Sequence, residues 1–387
     1  MKRFSTTLLA ASLLTGVLAA PAAVAAPPAD DTRPPGLAKK DTLRWFAPED
    51  FAIGTAVAGG GHHLDQPYPD PFPNDLEYRE LVGTEFSSLS PENQAKWEFI
   101  HPQEDVYNFG PMDEIVEFAE EHGQVVRGHT LLWHSQNPAW LEEGDYTADE
   151  LREILREHIQ TVVGRYAGRI QQWDVANEVM LDNGSGLRTT DNIWIRKLGP
   201  GIIADAFRWA HEADPEALLF FNDYGVESIG PKSNAYYELV QDLLADGVPV
   251  HGFSFQGHLS TQYGFPGGVE ENLQRFADLG LDTAITELDV RMVVPQGQQP
   301  TEAQLAQQAD YYTRMLDACL AVEGCDSFTL WGFVDKYSWV PVFFPNQGFA
   351  TVMYDDFTRK PAYCALQETL AEASGKIKHP AFALRDC

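Results

Sequence analysis

Short apolar runs and longer amphipathic segments alternate along most of this chain. The runs "FAIGTAV", "EFSSLS", "VVRGHTLL", "IQQWDVAN", "ALLFFND", "VHGFSFQ", "DTAITELDV" and "DSFTLWGF" have the length of strands. Between them lie segments whose apolar residues recur every three to four positions. Examples are "MDEIVEFAEEHG", "ADELREILREHIQTVVGRYAG", "KSNAYYELVQDLLADG", "VEENLQRFADLG" and "TEAQLAQQADYYTRMLDACLA". Several end in glycine, the residue that best follows a helix C-terminus. Strand then helix, repeated eight times without a break in composition, predicts an α/β protein: a closed (β/α)8 TIM barrel forming a single catalytic domain. A doubly wound sheet is the competing arrangement, but no G-x-G-x-x-G follows a strand.

The polar residues fall where the predicted strands end. His129 follows "VVRG", Asn177 and Glu178 follow "WDVA", and Asn222 and Asp223 follow "LLFF". Gln256 and His258 follow "GFSF", Glu287 follows "TAIT", and Trp331 follows "FTL". One polar strand end is ordinary loop onset. Six of them, converging at the C-terminal mouth of a barrel, point to a site.

Glu178 and Glu287, on the fourth and seventh strands, stand out because an ionised carboxylate is costly to desolvate. Two carboxylates facing each other across a sugar-sized cleft are the usual apparatus of glycoside hydrolysis. One must be a protonated acid with a raised pKa; the other must be ionised, as nucleophile or as base for water. These residues alone leave retention and inversion open.

The chain of 387 residues carries a formal net charge of −30, which argues against nucleic-acid or anionic-membrane partners. The acidity is spread evenly, as on a solvated surface. Lys2 and Arg3, the run "LLAASLLTGVLAA" and the small residues "AAVAAP" read as a secretory signal peptide over 1–26, implying an extracellular protein. No later segment reaches 18 uninterrupted apolar residues, so no membrane span is expected. A Pro-rich leader (27–46), the catalytic domain (47–372) and a tail (373–387) too short for a second domain complete the division. Export permits disulfides. Cys319, Cys325, Cys364 and Cys387 allow three pairings, and sequence does not choose among them. The preferred set joins Cys319 to Cys325 across "LAVEG" and Cys364 to Cys387. No metal-ligand spacing is apparent. His62, His63 and Asp65, in the Pro-rich stretch 59–75, read as an ordinary surface loop, with a metal site and contact to distal sugars as the two functional alternatives.

The sequence resembles the family 10 glycoside hydrolases, the endo-β-1,4-xylanases. Four motifs carry the resemblance: "SLSPENQAKW" (88–97), "GHTLLWHSQNPAWL" (128–141), "WDVANEVM" (173–180) and "ITELDV" (285–290). "FNDYGVE", "FQGHLS", "LWGFVDKYSWVP" and "RKPAY" support it. The resemblance implies that Glu178 is the general acid/base and Glu287 the nucleophile of a retaining reaction, with the carboxyl groups about 5–5.5 Å apart. It implies that Asn177 donates to a sugar 2-hydroxyl, that Gln256 and His258 flank the nucleophile, and that Asp289 orients His258. His129, Trp133, His134 and Gln136 would line the sugar at the cut, and Trp331 and Trp339 would wall it, each offering an indole N–H. Glu92, Asn93 and Lys96 would read hydroxyls one sugar further along, and Tyr224 would contact substrate near the acid/base. Gly225 and Gly257 depart from the family pattern, which often has Asn and Ser there. Xylan and xylo-oligosaccharides are the implied partners, with no cofactor and a monomeric chain. Two other readings remain: a related barrel glycosidase acting on mixed or glucose-based β-1,4 chains, and a non-catalytic polysaccharide-binding barrel.

Overall fold

A computed structural model describes residues 41–68 and 70–376. The expected signal peptide, most of the leader and Cys387 lie outside the described residues. Eight strands form the barrel: β1 (Ala52–Val57), β2 (Ser88–Pro91), β3 (Val125–Leu132), β4 (Gln172–Asn177), β5 (Leu218–Asp223), β6 (Gly252–Phe255), β7 (Asp282–Val293) and β8 (Cys325–Leu330). Each pairs in parallel with the next, and β8 closes onto β1 through Ala52↔Ser327 to Thr55↔Leu330. The TIM barrel expected from the pattern is therefore present, and the doubly wound alternative, which would leave open edges, is not. The strands read as continuous apolar runs because a parallel barrel buries both faces of its sheet. His258–Ser260 extends the top of β7 in parallel, and Gln347–Gly348 pairs antiparallel with its end.

The helices Gly110–Glu121, Ala148–Arg165, Pro231–Ala245, Val269–Ala277 and Glu302–Leu320 fall where the 3.6-residue periodicity put them. Two start on reciprocal capping boxes, Thr147 with Glu150 and Thr301 with Gln304, which satisfy otherwise orphaned N–H groups. Leu76–Glu85, Ile202–Ala213 and Pro361–Ala373 complete the outer ring. A short helix, Leu43–Phe46, lies within the stretch read as leader. Leu43 is buried and its N–H donates to Glu85 Oε2 at 3.0 Å, so the folded body begins slightly earlier than expected.

The barrel interior carries a charge network beneath its mouth. Arg127 is almost fully buried against Asp174, donates to Ser254 Oγ at 2.9 Å, and shares Asp174 Oδ2 with His129, its own Nε at 3.2 Å and His129 Nδ1 at 2.9 Å. A buried ion pair is kept only when its remaining lone pairs are satisfied, and here they are satisfied by strand neighbours pointing into the same layer. Cys319 and Cys325 form a disulfide tying the end of the helix Glu302–Leu320 to the start of β8. Among the described residues no helix is long and apolar enough to cross a membrane.

Candidate active site

β4 ends at Asn177, and Glu178 follows with a φ of 52°, a left-handed conformation costly for a side chain that is not glycine. This turn swings the carboxylate out of the strand direction and into the mouth. Several contacts hold it: Glu178 N donates to Asn222 O at 2.9 Å, and Arg188 Nε donates to Glu178 O at 3.0 Å. The Tyr236 hydroxyl, anchored on Asp223, accepts from Val179 N and Met180 N. The carboxylate itself accepts from Trp133 Nε1 at 2.8 Å and Gln256 Nε2 at 3.0 Å, with His134 Nδ1 at 3.7 Å.

Glu287, on β7, has a different environment. It accepts from Asn222 Nδ2 at 2.7 Å, pairs with His258 Nε2 at 3.2 Å, and lies 3.9 Å from His129 Nδ1. Burial alone would raise its pKa. His129, the hydrogen bonds from His258 and Asn222, and the charge of His258 outweigh burial and bring it down to about 2. Burial likewise opposes the charge on His258. Asp289, whose Oδ2 lies 2.9 Å from His258 Nδ1, and Glu287 together raise the imidazole to about 10. His258 is thus an imidazolium donating from both nitrogens, one to each carboxylate.

The two glutamates belong to one network. The Asn177 carboxamide lies 2.9 Å from Asn222 Nδ2 and 3.3 Å from Gln256 Nε2, so Asn222 links it to Glu287 and Gln256 links it to Glu178. Turned over, the same amide accepts from Trp133 Nε1 at 3.1 Å. Either way, Asn177 sits between the carboxylates.

The remaining expected site residues gather around this centre. Lys96 donates to Asn93 Oδ1 at 3.0 Å and Gln136 Oε1 at 2.8 Å, and its ammonium lies 4.9 Å from the Trp133 ring centroid. Asn93 has both ends of its amide engaged by protein, since Nδ2 also donates to Gly59 O at 2.9 Å. Trp331 meets His129 and His258 edge-on. Trp339 also stands beside His258, but its indole N–H donates to Asp289 Oδ2 at 2.7 Å. Trp339 therefore braces Asp289 and offers a face, where sequence alone had it donating to sugar. Tyr224 donates to Asp182 at 2.6 Å and accepts from Arg188 at 3.0 Å, on the Glu178 side of the mouth. Gly225 beside it has a φ of 65°, which Asn and Gly both tolerate, so the departure there removes a side chain and keeps the backbone.

The loop reading of residues 59–75 needs correction at one point. His63 is fully buried, its Nε2 2.7 Å from Glu92 Oε2, because the turn Gly61–Asp65 folds inward over the end of β2. Burial disfavours charge on both groups. Their mutual attraction outweighs it, raising His63 and lowering Glu92. Asp65 stays exposed and takes no part.

Sequence reasoning flagged Asn222 only as a strand end, and it left out Arg188 and Asp174. Asn222 was legible by the same rule as its neighbours. Arg188 lies in the loop after β4, where only the fold reveals its contact with the Glu178 carbonyl.

Comparison with known proteins identifies the family. The chain matches the profile of Glycosyl hydrolase family 10 over residues 43–369. It is 41% identical over 300 residues to endo-1,4-beta-xylanase B of Thermotoga neapolitana, covering 78% of this chain and 85% of that one. It is also 41% identical over 305 residues to a beta-1,4-xylanase of Dictyoglomus thermophilum, covering 77% and 81%. The fold superposes on native xylanase 10B of Thermotoga maritima with a TM-score of 0.79 at 40% identity, covering 87% of this chain and 99% of that one. The xylobiose complex of xylanase 10B from Thermotoga petrophila gives 0.78 at 40%, covering 86% and 97%. With a family match across most of its length and relatives this similar, the chain belongs to glycosyl hydrolase family 10.

Proposed function

We propose that this protein is a secreted endo-β-1,4-xylanase that hydrolyses xylan with retention of configuration. The observation that carries the reading is the contrast between two carboxylates in one hydrogen-bonded network. Glu287 is flanked by an imidazolium and kept ionised, as a nucleophile requires; Glu178 is approached by the neutral donors Trp133 and Gln256. In this reading Glu178 protonates the departing glycosidic oxygen while Glu287 attacks the anomeric carbon. Glu178 then takes a proton from the water that hydrolyses the glycosyl ester. Asn177 holds the sugar 2-hydroxyl, Trp331 and Trp339 cover its apolar face, and Lys96 with Glu92 reads the next sugar. The names of the relatives support xylan as the polymer, and the N-terminal pattern together with the Cys319–Cys325 disulfide supports export.

The test is release of reducing ends by the mature protein from xylan, carboxymethyl cellulose, mixed-linkage glucan and mannan, with the anomer first formed followed by NMR. Dominant release from xylan, with β-configured product appearing first, is expected. Release from glucan or mannan with none from xylan would overturn the substrate. α-Product appearing first would overturn the nucleophilic role of Glu287.

Asp289 supplies a prediction about pH. With Glu287 titrating at about 2, the acid limb of kcat/KM should lie well below pH 4. Asp289→Asn leaves His258 with one anionic partner instead of two, so the imidazole should lose its proton at least about one unit below its parent value of about 10. At the acid limb His258 is protonated in both proteins, so that limb should not rise. NMR titration of the imidazole nitrogens reads the shift, and an unmoved His258 titration in a folded variant would mean that Asp289 does not hold its charge.

A further inference from the structure

The turn after β1 brings two imidazoles onto one buried carboxylate. His62 and His63 are consecutive on a 3₁₀ turn, yet their rings lie on the same side, with centroids 3.9 Å apart. His63 Nε2 is 2.7 Å from Glu92 Oε2, His62 Nδ1 is 3.9 Å from Glu92 Oε1, and one donor atom from each residue falls within 4.8 Å of the others. Glu92 is only 5% exposed, and among the described residues no hydrogen bond reaches its Oε1.

We propose that His62, His63 and Glu92 form a binding site for a borderline transition-metal dication of the Zn²⁺ class. Ion-to-ligand distances of roughly 2.0–2.2 Å in a tetrahedron set the donors roughly 3.3 Å apart. The His63–Oε2 pair is shorter than that and the His62–Oε1 pair longer; the contacts use different oxygens of Glu92 and the donor set is bounded by 4.8 Å, so binding one ion takes a turn of the carboxylate together with a turn of the His62 ring. The ion takes the place of the proton held between His63 and Glu92. Two imidazoles and a carboxylate suit Zn²⁺, Co²⁺ or Ni²⁺ and disfavour Mg²⁺ and Ca²⁺, which prefer oxygen throughout. A fourth position is left for water or a sugar hydroxyl on the cleft side. The Lys96 ammonium is also close to Glu92, and its repulsion limits affinity.

The loop is built to hold the donors in place. Gly60 and Gly61 have φ values of 66° and 51°, and a Cβ on Gly61 would lie 2.7 Å from the Asn93 side chain. Their absence of side chains lets the loop lie directly on Asn93, whose amide ties down Gly59 O. Beyond the turn, Tyr68 donates to Lys336 O, and Asp75 accepts from Lys336 Nζ and Tyr337 OH, stitching the β1 loop to the loop after β8. Histidines pre-positioned in this way lose little conformational freedom on binding an ion.

The experiment uses the tag-free mature enzyme, stripped with EDTA and titrated with Zn²⁺ by calorimetry, then with Co²⁺ followed by its visible spectrum. One ion per chain is expected, with a dissociation constant of about 10 µM or tighter, an absorption pattern typical of tetrahedral Co²⁺, and a rise in Tm that Mg²⁺ does not reproduce. His62→Ala should weaken binding at least tenfold while its metal-free Tm stays near that of the parent, and Glu92→Gln should act likewise on affinity. His62→Gln serves if the alanine variant misfolds. No binding up to millimolar Zn²⁺ overturns the proposal and leaves a proton-sharing His63–Glu92 pair. Binding that His62→Ala leaves unchanged overturns it as well, because the ion then sits elsewhere, for example at the His101–His158 pair. Resting on the xylanase reading, a bound ion should raise KM for longer xylo-oligosaccharides and leave kcat on a small activated xyloside unchanged. The calorimetry stands whether or not xylan is the substrate.

Discussion

Glu287→Ala is expected to lower turnover of xylan by at least about 10⁴-fold while leaving binding of xylo-oligosaccharides within a few-fold of the parent. On the proposed mechanism the loss follows from removing the group that forms the glycosyl ester: about 5–6 kcal/mol of transition-state stabilisation disappears with the covalent step. The ground-state sugar contacts come from other residues and persist. The fold should tolerate the change, but not without cost. Asn222 Nδ2 and His258 Nε2 both lose an acceptor in a site where Glu287 is 4% exposed, and water entering the new cavity must satisfy them. A small anion offers a sharper check than rate loss. Azide can occupy the cavity and attack the anomeric carbon of an aryl xyloside from the face Glu287 used. With no second displacement, the product is an α-xylosyl azide. Recovery of rate with that product would fix Glu287 as nucleophile. Turnover within tenfold of the parent, or a β-azide, would refute the assignment.

Glu178→Ala is expected to separate substrates by leaving group. On xylan, whose departing sugar hydroxyl needs a proton, the rate should fall by about 10³–10⁴-fold, because general acid assistance is lost. On an aryl xyloside with a good leaving group, formation of the glycosyl-enzyme needs no proton and should stay fast. Hydrolysis of the ester then becomes limiting, since no base activates water, and a burst of phenol followed by a slow steady state should be seen. Azide relieves that second step because it needs no deprotonation, and it attacks a bond already inverted once, giving a β-xylosyl azide. The opposite anomers from the two variants distinguish the roles even if both lose comparable activity. Equal losses on good and poor leaving groups would mean that Glu178 does not act as the acid. Truncation also frees the indole N–H of Trp133 and the amide of Gln256, so a modest fall in Tm should accompany it.

Arg188 shows why the position of Glu178 depends on more than its own side chain. Glu178 holds a left-handed φ, and its carbonyl is fixed by Arg188, which also bonds Asp182, Asp191 and Tyr224. The strained turn is over-determined from both sides, by Arg188 on the carbonyl and by Asn222 on the amide. Arg188 and the groups that hold it therefore set the direction of the Glu178 carboxylate.

The eight strands and the register of polar groups at their ends were determined by sequence alone. Alternation of apolar runs with 3.6-residue segments is a local property, and barrel topology sends every strand end to one mouth. Glu178, Glu287, His258 and Asn177 could thus be placed together before any coordinate was known, and their shared motifs gave the family. Tertiary structure alone decided the partners. That Trp339 gives its N–H to Asp289, that Asn93 has its amide engaged by Lys96, Gln136 and the Gly59 carbonyl, and that Arg188 grips the carbonyl behind Glu178 depend on distances between segments far apart in the chain. The stretch at 59–75 is the plainest case. Its glycines, prolines and histidines carry the composition of an exposed loop, because composition reports backbone freedom and says nothing of what the backbone lies against. Only when β1 and β2 stand side by side does Asn93 meet Gly60 and Gly61, and only then is His63 driven inward onto Glu92, turning a surface sequence into a buried hydrogen-bonded pair.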